Sequence, residues 1–147
     1  MTTLHDLDGT QWKGHCELWL DPLGNTASEC ECQLRIGPGR LDYTWAHEGT
    51  AHEGQIVLTP EGAEFTDTFH SSSTMACRAA AQPLALVDVT GSYSAPGMGD
   101  WGWRIMVAQR PSEGDAPGEL IVQMINIAPW GEEGRAVRMT CNRWIGP

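Results

Sequence analysis

Apolar and polar residues take turns along most of this chain, and the alternation returns about ten times with glycine or proline between the runs. A period of two places successive side chains on opposite faces of an extended strand, so each run reads as a β-strand with one buried face. Over residues 12–20 the even positions carry Trp, Gly, Cys, Leu and Leu, while Lys13, His15 and Glu17 take the other face. Over residues 30–36, Cys30, Cys32, Leu34 and Ile36 oppose Glu29, Glu31, Gln33 and Arg35. Leu41, Tyr43, Trp45 and His47 carry the inner phase of a third run, Gly54, Ile56 and Leu58 of a fourth, and Ala63, Phe65, Asp67 and Phe69 of a fifth. Five more runs follow near residues 75–79, 84–93, 101–107, 120–127 and 136–144.

The connectors between the first five runs are short turns, which makes neighbours in sequence antiparallel neighbours in space. An open meander of ten strands leaves two edges unpaired, and closure removes both. The pattern therefore predicts an all-β chain: a single domain over residues 1–147, folded as an antiparallel up-and-down β-barrel of about ten strands. A short amino-terminal segment plugs one end. The longest connectors, residues 95–100, 111–118 and 129–134, mix Gly, Pro and acidic side chains and are expected to be mobile surface loops. Residues 84–89 and 120–127 are apolar on both faces, which asks for cover from the amino-terminal segment or from a second subunit. A homodimer is the corresponding expectation.

Composition narrows the function classes. Seventeen Gly and nine Pro argue against long helices, and a net charge of −10 repels phosphate backbones and anionic headgroups, so neither nucleic acid nor a membrane surface is an expected partner. The first residues show no basic-then-apolar leader, and no window is apolar enough for a membrane span, so the expected compartment is the cytoplasm. Five cysteines is an odd number, and in that compartment they read as free thiols.

The opening Gly9-Thr10-Gln11-Trp12-Lys13-Gly14 resembles the Gly…Trp…Gly start of the first strand in the calycin barrels, which include lipocalins, fatty-acid-binding proteins and nitrobindin-like haem barrels. It also resembles small bacterial lipocalin-like domains of unknown function, in which a Ser/Thr-rich stretch such as Ser71-Ser72-Ser73-Thr74 follows the fifth strand. The resemblance covers the whole chain and implies a barrel that binds a small molecule. It implies a structural role for Trp12, plugging the closed end with Arg138 or Arg143 stacked on it. Nitrobindin-like members place a haem-ligating His late in the chain, whereas the last His here is His70, so haem is not carried over. Fatty-acid-binding members hold a carboxylate with an Arg and a Tyr two apart in the last strand; Arg138-Met139-Thr140 keeps the Arg alone.

Turn lengths fix provisional registers. Ile36 opposite Leu41 places Leu34 beside Tyr43, Cys32 beside Trp45 and Cys30 beside His47, and Cys16 then faces Cys30 or Cys32. Leu58 opposite Ala63 sets Ile56 beside Phe65 and Gly54 beside Asp67. His47 opposite Gly54 and Phe69 opposite Met75 complete an inner row of Cys16, Cys30, His47, Gly54, Asp67 and Cys77. An inward carboxylate is costly unless paired. In this register His47 reaches Asp67 across Gly54; alternatively Asp67 meets water at the barrel mouth, or caps the turn after His70.

Three readings of function follow. In the first, Tyr43, Trp45, His47, Ile56, Phe65, Asp67, Trp103 and Arg138 line a pocket for a hydrophobic or aromatic small molecule, with no cofactor. In the second, His47 and Asp67 are the acid–base pair of an isomerase or cyclase. In the third, rings fill the lumen and the chain is an interaction protein acting as a homodimer. Cys16, Cys30, Cys32 and His47 would also form a three-thiolate, one-imidazole zinc set, although no Cys-x-x-Cys knuckle occurs. Packing of buried thiols explains the same cysteines.

Overall fold

The computed structural model describes residues 3–114 and 118–145. Ten strands run β1 Gln11–Trp19, β2 Ala27–Gly37, β3 Arg40–His47, β4 Thr50–Leu58, β5 Gly62–Asp67, β6 Ser71–Ala79, β7 Val87–Ala95, β8 Gly99–Arg110, β9 Glu119–Ile127 and β10 Glu133–Trp144. Each pairs antiparallel with its neighbours in sequence, and β1 pairs with β10, so the meander closes into a barrel with no free edge. Of the connector at residues 111–118, residues 115–117 lie outside the described residues.

Closure is a consequence of the alternation. Leu34, Ile36, Leu41, Ile56, Phe65, Ile105, Val107, Leu120, Val122, Met124, Met139 and Cys141 point inward and are almost completely shielded from water. A fully buried side chain of this size contributes roughly 1.5–3 kcal/mol relative to exposure, and the closed sheet shields every strand's inner face at once. Eight strands enclose a cross-section that side chains just fill. Ten leave more room, and large rings occupy it: Phe65 stacks on Trp103 at 6.0 Å between centroids.

One end is plugged. A 3-10 turn at Leu4–Leu7 buries both leucines, and the chain then runs beside β2, with hydrogen bonds from Gly9 N–H to Ile36 O (2.8 Å) and from Ile36 N–H to Thr10 O (3.0 Å). Trp12 is buried there, and its indole N–H donates to Thr10 Oγ1 at 2.8 Å. The Arg143 guanidinium lies 6.0 Å from the centroid of that ring. Arg138 is elsewhere: it faces outward, 5.5 Å over Trp19 and 3.7 Å from the Glu17 carboxylate. This corrects its expected place in the lumen. β10 carries a bulge between Arg135 and Val137 that buries Ala136 and Val137 in succession, so a strict alternation cannot be carried along it.

The amino-terminal segment does not cover the doubly apolar strands. Ile121, Ile125 and Ile127 of β9 and Met106 of β8 remain half-exposed on the outer face. The stretch at residues 84–89 resolves differently: Leu84 lies outside the strand at 81% exposure. Asp88 is buried on the outer face of β7, gripped by two Arg104 hydrogen bonds of 2.9 Å each and accepting from Leu84 N–H at 3.1 Å. That guanidinium holds the Asp88 carboxyl below its usual range.

Candidate functional site

The end opposite the plug is formed by residues 20–26, 48–49, 68–70, 96–98 and 128–132. The connection between β3 and β4 there is a two-residue turn, with positive φ at both Glu48 (49°) and Gly49 (79°). That pair of angles gives the hairpin a twist matching its strands. Because the turn is so tight, β4 begins at Thr50, His47 faces Thr50, and Gly54 falls opposite Tyr43. The expected pairing of His47 with Gly54 is therefore displaced by four residues.

The displacement changes the partner of Asp67. Gly54 lies between Tyr43 and Asp67 on adjacent strands, and a Cβ on Gly54 would overlap the Tyr43 ring. Without one, the phenol lies over the glycine and donates a short hydrogen bond to Asp67 Oδ2. The Trp45 indole N–H approaches the same oxygen at 3.4 Å. Oδ1 accepts from Phe69 N–H (2.7 Å) and His70 N–H (2.9 Å). A reach across Gly54 thus exists, with Tyr43 in the place assigned to His47, and the carboxylate caps the turn at residues 68–70 rather than one after His70, where β6 has already begun. No His47–Asp67 acid–base pair is assembled. Burial, followed by the Asp67 charge, pushes the Tyr43 phenol well above its ordinary range.

The same cap ends β5 at Asp67, so Phe69 never joins the ladder. Phe65 pairs with Met75 and Ala63 with Cys77, which replaces the expected Phe69–Met75 pair and removes Cys77 from the row of Asp67. Phe69 instead sits at the barrel mouth at 43% exposure, with the rings of Trp45, His47, His52 and His70 at 5.3, 5.5, 5.3 and 4.9 Å. His52 Nδ1 lies 3.1 Å from Thr68 Oγ1 and tethers the turn from the β4 side.

At the mouth lies a half-open cavity of about 220 Å³, lined by Phe69, His70, Met75, Tyr93, Trp103 and Asn126, with Trp19, Leu20, Asp21, Pro22 and Ala136 completing it. The Tyr93 hydroxyl donates to Asn126 Oδ1 at 2.5 Å. Among the described residues β6 and β7 share the ladder pairs Arg78–Thr90 and Ala79–Val89, and nearer the mouth the side chains of Met75 and Cys77 lie against Gly91. The expected pocket residues divide accordingly. Trp103 lines the cavity; His47 lies outside its lining, with its ring 5.5 Å from that of Phe69, and Tyr43, Trp45, Ile56, Phe65 and Asp67 are buried in the barrel outside the lining as well. His70, Phe69, Met75, Tyr93 and Asn126 were not singled out by the sequence pattern as pocket residues. The signal that could have found two of them is Asp67-x-x-His70, the spacing of a carboxylate that caps its own turn.

His70 is set into this wall with its imidazole 5.1 Å from Trp103. Burial lowers its pKa below the ordinary value of 6.5, more than the nearby Asp67 charge raises it, and His52 adds to the lowering. The imidazole is therefore neutral at neutral pH. As pH falls below about 6.5 the unfolded chain takes up a proton that folded His70 resists, so stability declines until pH reaches the folded-state pKa. Thermal melts between about pH 7 and about pH 5 are expected to show this decline, and His70→Phe to make it shallower by removing one site of proton uptake; an unchanged slope would contradict the assignment.

The cysteines do not gather at the mouth. Cys16 pairs with Cys30 across β1 and β2, while Cys32 and Cys141 approach each other over Gly14 with sulfurs 3.5 Å apart. Burial first of all pushes the Cys16 thiol above its ordinary range, and Cys77 up to about 11. The sulfur–sulfur contact and burial do the same for Cys32. The set of Cys16, Cys30, Cys32 and His47 is not assembled, and among the described residues no group of three or more His, Cys, Asp or Glu could hold a metal ion. A haem does not fit the mouth cavity, which is below the ~300–1,000 Å³ of ordinary ligand pockets. A groove of about 300 Å³ on the outer face of β1–β4 is lined by Gln33, Arg35, Asp42, Glu53 and Gln55. Its Asp42 carboxylate is already bound by Arg40 at 2.7 Å.

No helix among the described residues is long and apolar enough to cross a membrane. No family model matches this chain, and comparison with curated proteins finds no match. Fold and site therefore define it as a closed ten-stranded β-barrel with an aromatic-walled cavity at its unplugged end.

Proposed function

We propose that this protein is an intracellular small-molecule-binding barrel that takes a compact hydrophobic or aromatic compound into the mouth cavity. The observation that carries the reading is the position of that cavity, ring-walled and at the unplugged end. A ligand would enter past the exposed Phe69 and stack against Trp103. Free thiols at all five cysteines suit a reducing compartment. The polar cluster of Tyr43, Trp45 and Asp67 positions the turn that carries Phe69 and His70. It lies outside the lining of the cavity and is not assigned a catalytic role.

Native mass spectrometry of the purified chain beside a denatured control tests this reading. The native mass is expected to exceed 16.1 kDa by one small molecule, or to do so after incubation with a panel of one- and two-ring compounds that also quench tryptophan fluorescence. A chain that stays at its bare mass with unchanged emission across the panel would overturn it.

A further inference from the structure

The outer face of β1–β4 carries two adjoining hollows of about 300 and 550 Å³, which share Gln33 and Thr44 and have no lining residue in common with the mouth cavity. The register explains them. Trp12, Leu34, Tyr43 and Ile56 are buried inside the barrel, so the residues in the opposite phase, Gln11, Gln33, Thr44 and Gln55, point outward. Strand pairing sets the outward residues in rows across the sheet: Gln11, Arg35, Asp42 and Gln55 in one, Lys13, Gln33, Thr44 and Glu53 in the next. Trp144 stands at the end of the first row, opposite Gln11. Beyond the second row the outward pair on β3 and β4 is Ala46 and Ala51. Their short side chains, beside the longer Glu31 and Gln33 of β2, leave a trough along the strands. From Asp42 to Ala46 it runs roughly 13 Å at ~3.3 Å per residue.

The polar groups of the trough are accessible and largely unengaged. Among the described residues, the side chains of Gln11, Gln33, Arg35, Glu53 and Gln55 have no hydrogen-bond or ion-pair partner. Asp42 is held through both carboxylate oxygens by Arg40, at 2.9 and 2.7 Å, which leaves its ladder neighbour Arg35 without a carboxylate of its own. With that pair neutralised, Lys13 and Arg35 offset Glu31 and Glu53. The lining therefore carries no net charge, in a chain whose total is −10.

This composition selects a class of ligand. The Gln amides both donate and accept, the Arg35 guanidinium donates and the Glu53 carboxylate accepts. Rows of such groups match hydroxyls, each of which also donates and accepts. An ionic ligand finds no excess of opposite charge. An extended peptide held by main-chain pairing needs an open sheet edge, and the closed barrel has none. We propose that the trough binds an uncharged oligosaccharide, its hydroxyls held by Gln33, Arg35, Glu53 and Gln55 over a floor of Thr44, Ala46 and Ala51. This site is independent of the mouth cavity and of the function proposed for it.

The test is titration of the chain with maltohexaose, cellohexaose and xylohexaose, followed by calorimetry and 1H–15N NMR. At least one hexaose is expected to bind saturably and to shift the side-chain amides of Gln33 and Gln55, the backbone amides of Thr44 and Ala46 and the Trp144 indole N–H, while the amides of Phe69 and His70 stay still. A single sugar ring meets only part of the trough, so glucose is expected to bind at least about 10-fold more weakly. Gln33→Ala and Arg35→Ala each remove a hydrogen-bonding group and should weaken the hexaose by at least about 5-fold. Ala46→Leu fills the exposed floor and should weaken it by at least about 10-fold. Melting curves confirm the fold of each variant. Absence of saturable binding of any hexaose by the folded chain up to about 10 mM would overturn the proposal. Shifts centred on the mouth, or affinity unchanged in all three variants, would overturn it as well. Tighter binding of hexagalacturonate than of every neutral hexaose would overturn the assignment to an uncharged ligand.

Discussion

Gly14→Val is expected to stop the barrel from closing, lowering stability by about 4 kcal/mol or more. β1 is the strand on which the first and last parts of the chain meet, with Gly14 opposite both Cys141 of β10 and Cys32 of β2. A Cβ at this position would overlap backbone atoms of Thr140 and Cys141. Backbone in a ladder cannot move aside as a side-chain tip can, so the substitution separates β1 from β10 and also parts the Cys32–Cys141 contact over Gly14. Since a domain of this kind is stable by only about 5–15 kcal/mol in total, chemical denaturation should show a variant at the margin of folding. A denaturation midpoint close to that of the parent would mean that the seam is not where the ladder places it.

Asp67→Ala should be nearly as costly and would damage the site as well. Its removal leaves the Tyr43 hydroxyl and the Phe69 and His70 amides without their acceptor in the interior. Hydrogen bonds to a charged group contribute about 1.5–3 kcal/mol each, and they are not simply additive within one cluster. A loss of at least about 3 kcal/mol is expected, which for a chain of this length is roughly a 10 °C fall in melting temperature. Asp67→Asn keeps one acceptor oxygen and should lose less. If the alanine variant also binds ring compounds more weakly, the turn that carries Phe69 and His70 depends on this carboxylate; full affinity would separate the cluster from the site.

The barrel itself was legible because period-two alternation is a local signal repeated on every strand, and the register of β2 with β3 followed from a short turn. What misled was also local. Glu48-Gly49 forms a turn usually marked by Asn-Gly or Asp-Gly, and with Glu in the first place the signal was weak enough for β4 to be started at Gly54. The resulting four-residue displacement gave Asp67 the wrong partner, although Gly54 was rightly read as the gap across which a side chain reaches. The inward phase of Phe69 was read as continued strand, whereas the Asp67 cap terminates β5 and turns Phe69 into the cover of the mouth. Arg138 is expected in the lumen or stacked on Trp12, whereas the strand's phase places it outside beside Glu17 and over Trp19. No pattern in the sequence announces Tyr93 and Asn126, because they meet across β7 and β9 at the cavity only once the sheet has closed.

The most direct test of the whole account is the position of the ligand on the barrel, read by two-dimensional 1H–15N NMR during titration with p-cresol. Saturable shifts are expected for the Trp103 indole N–H and for the amides of Phe69, His70 and Tyr93, while the Trp12 indole N–H in the plug stays still. Shifts gathered instead around Trp12, or along the outer faces of β1–β4, would contradict it.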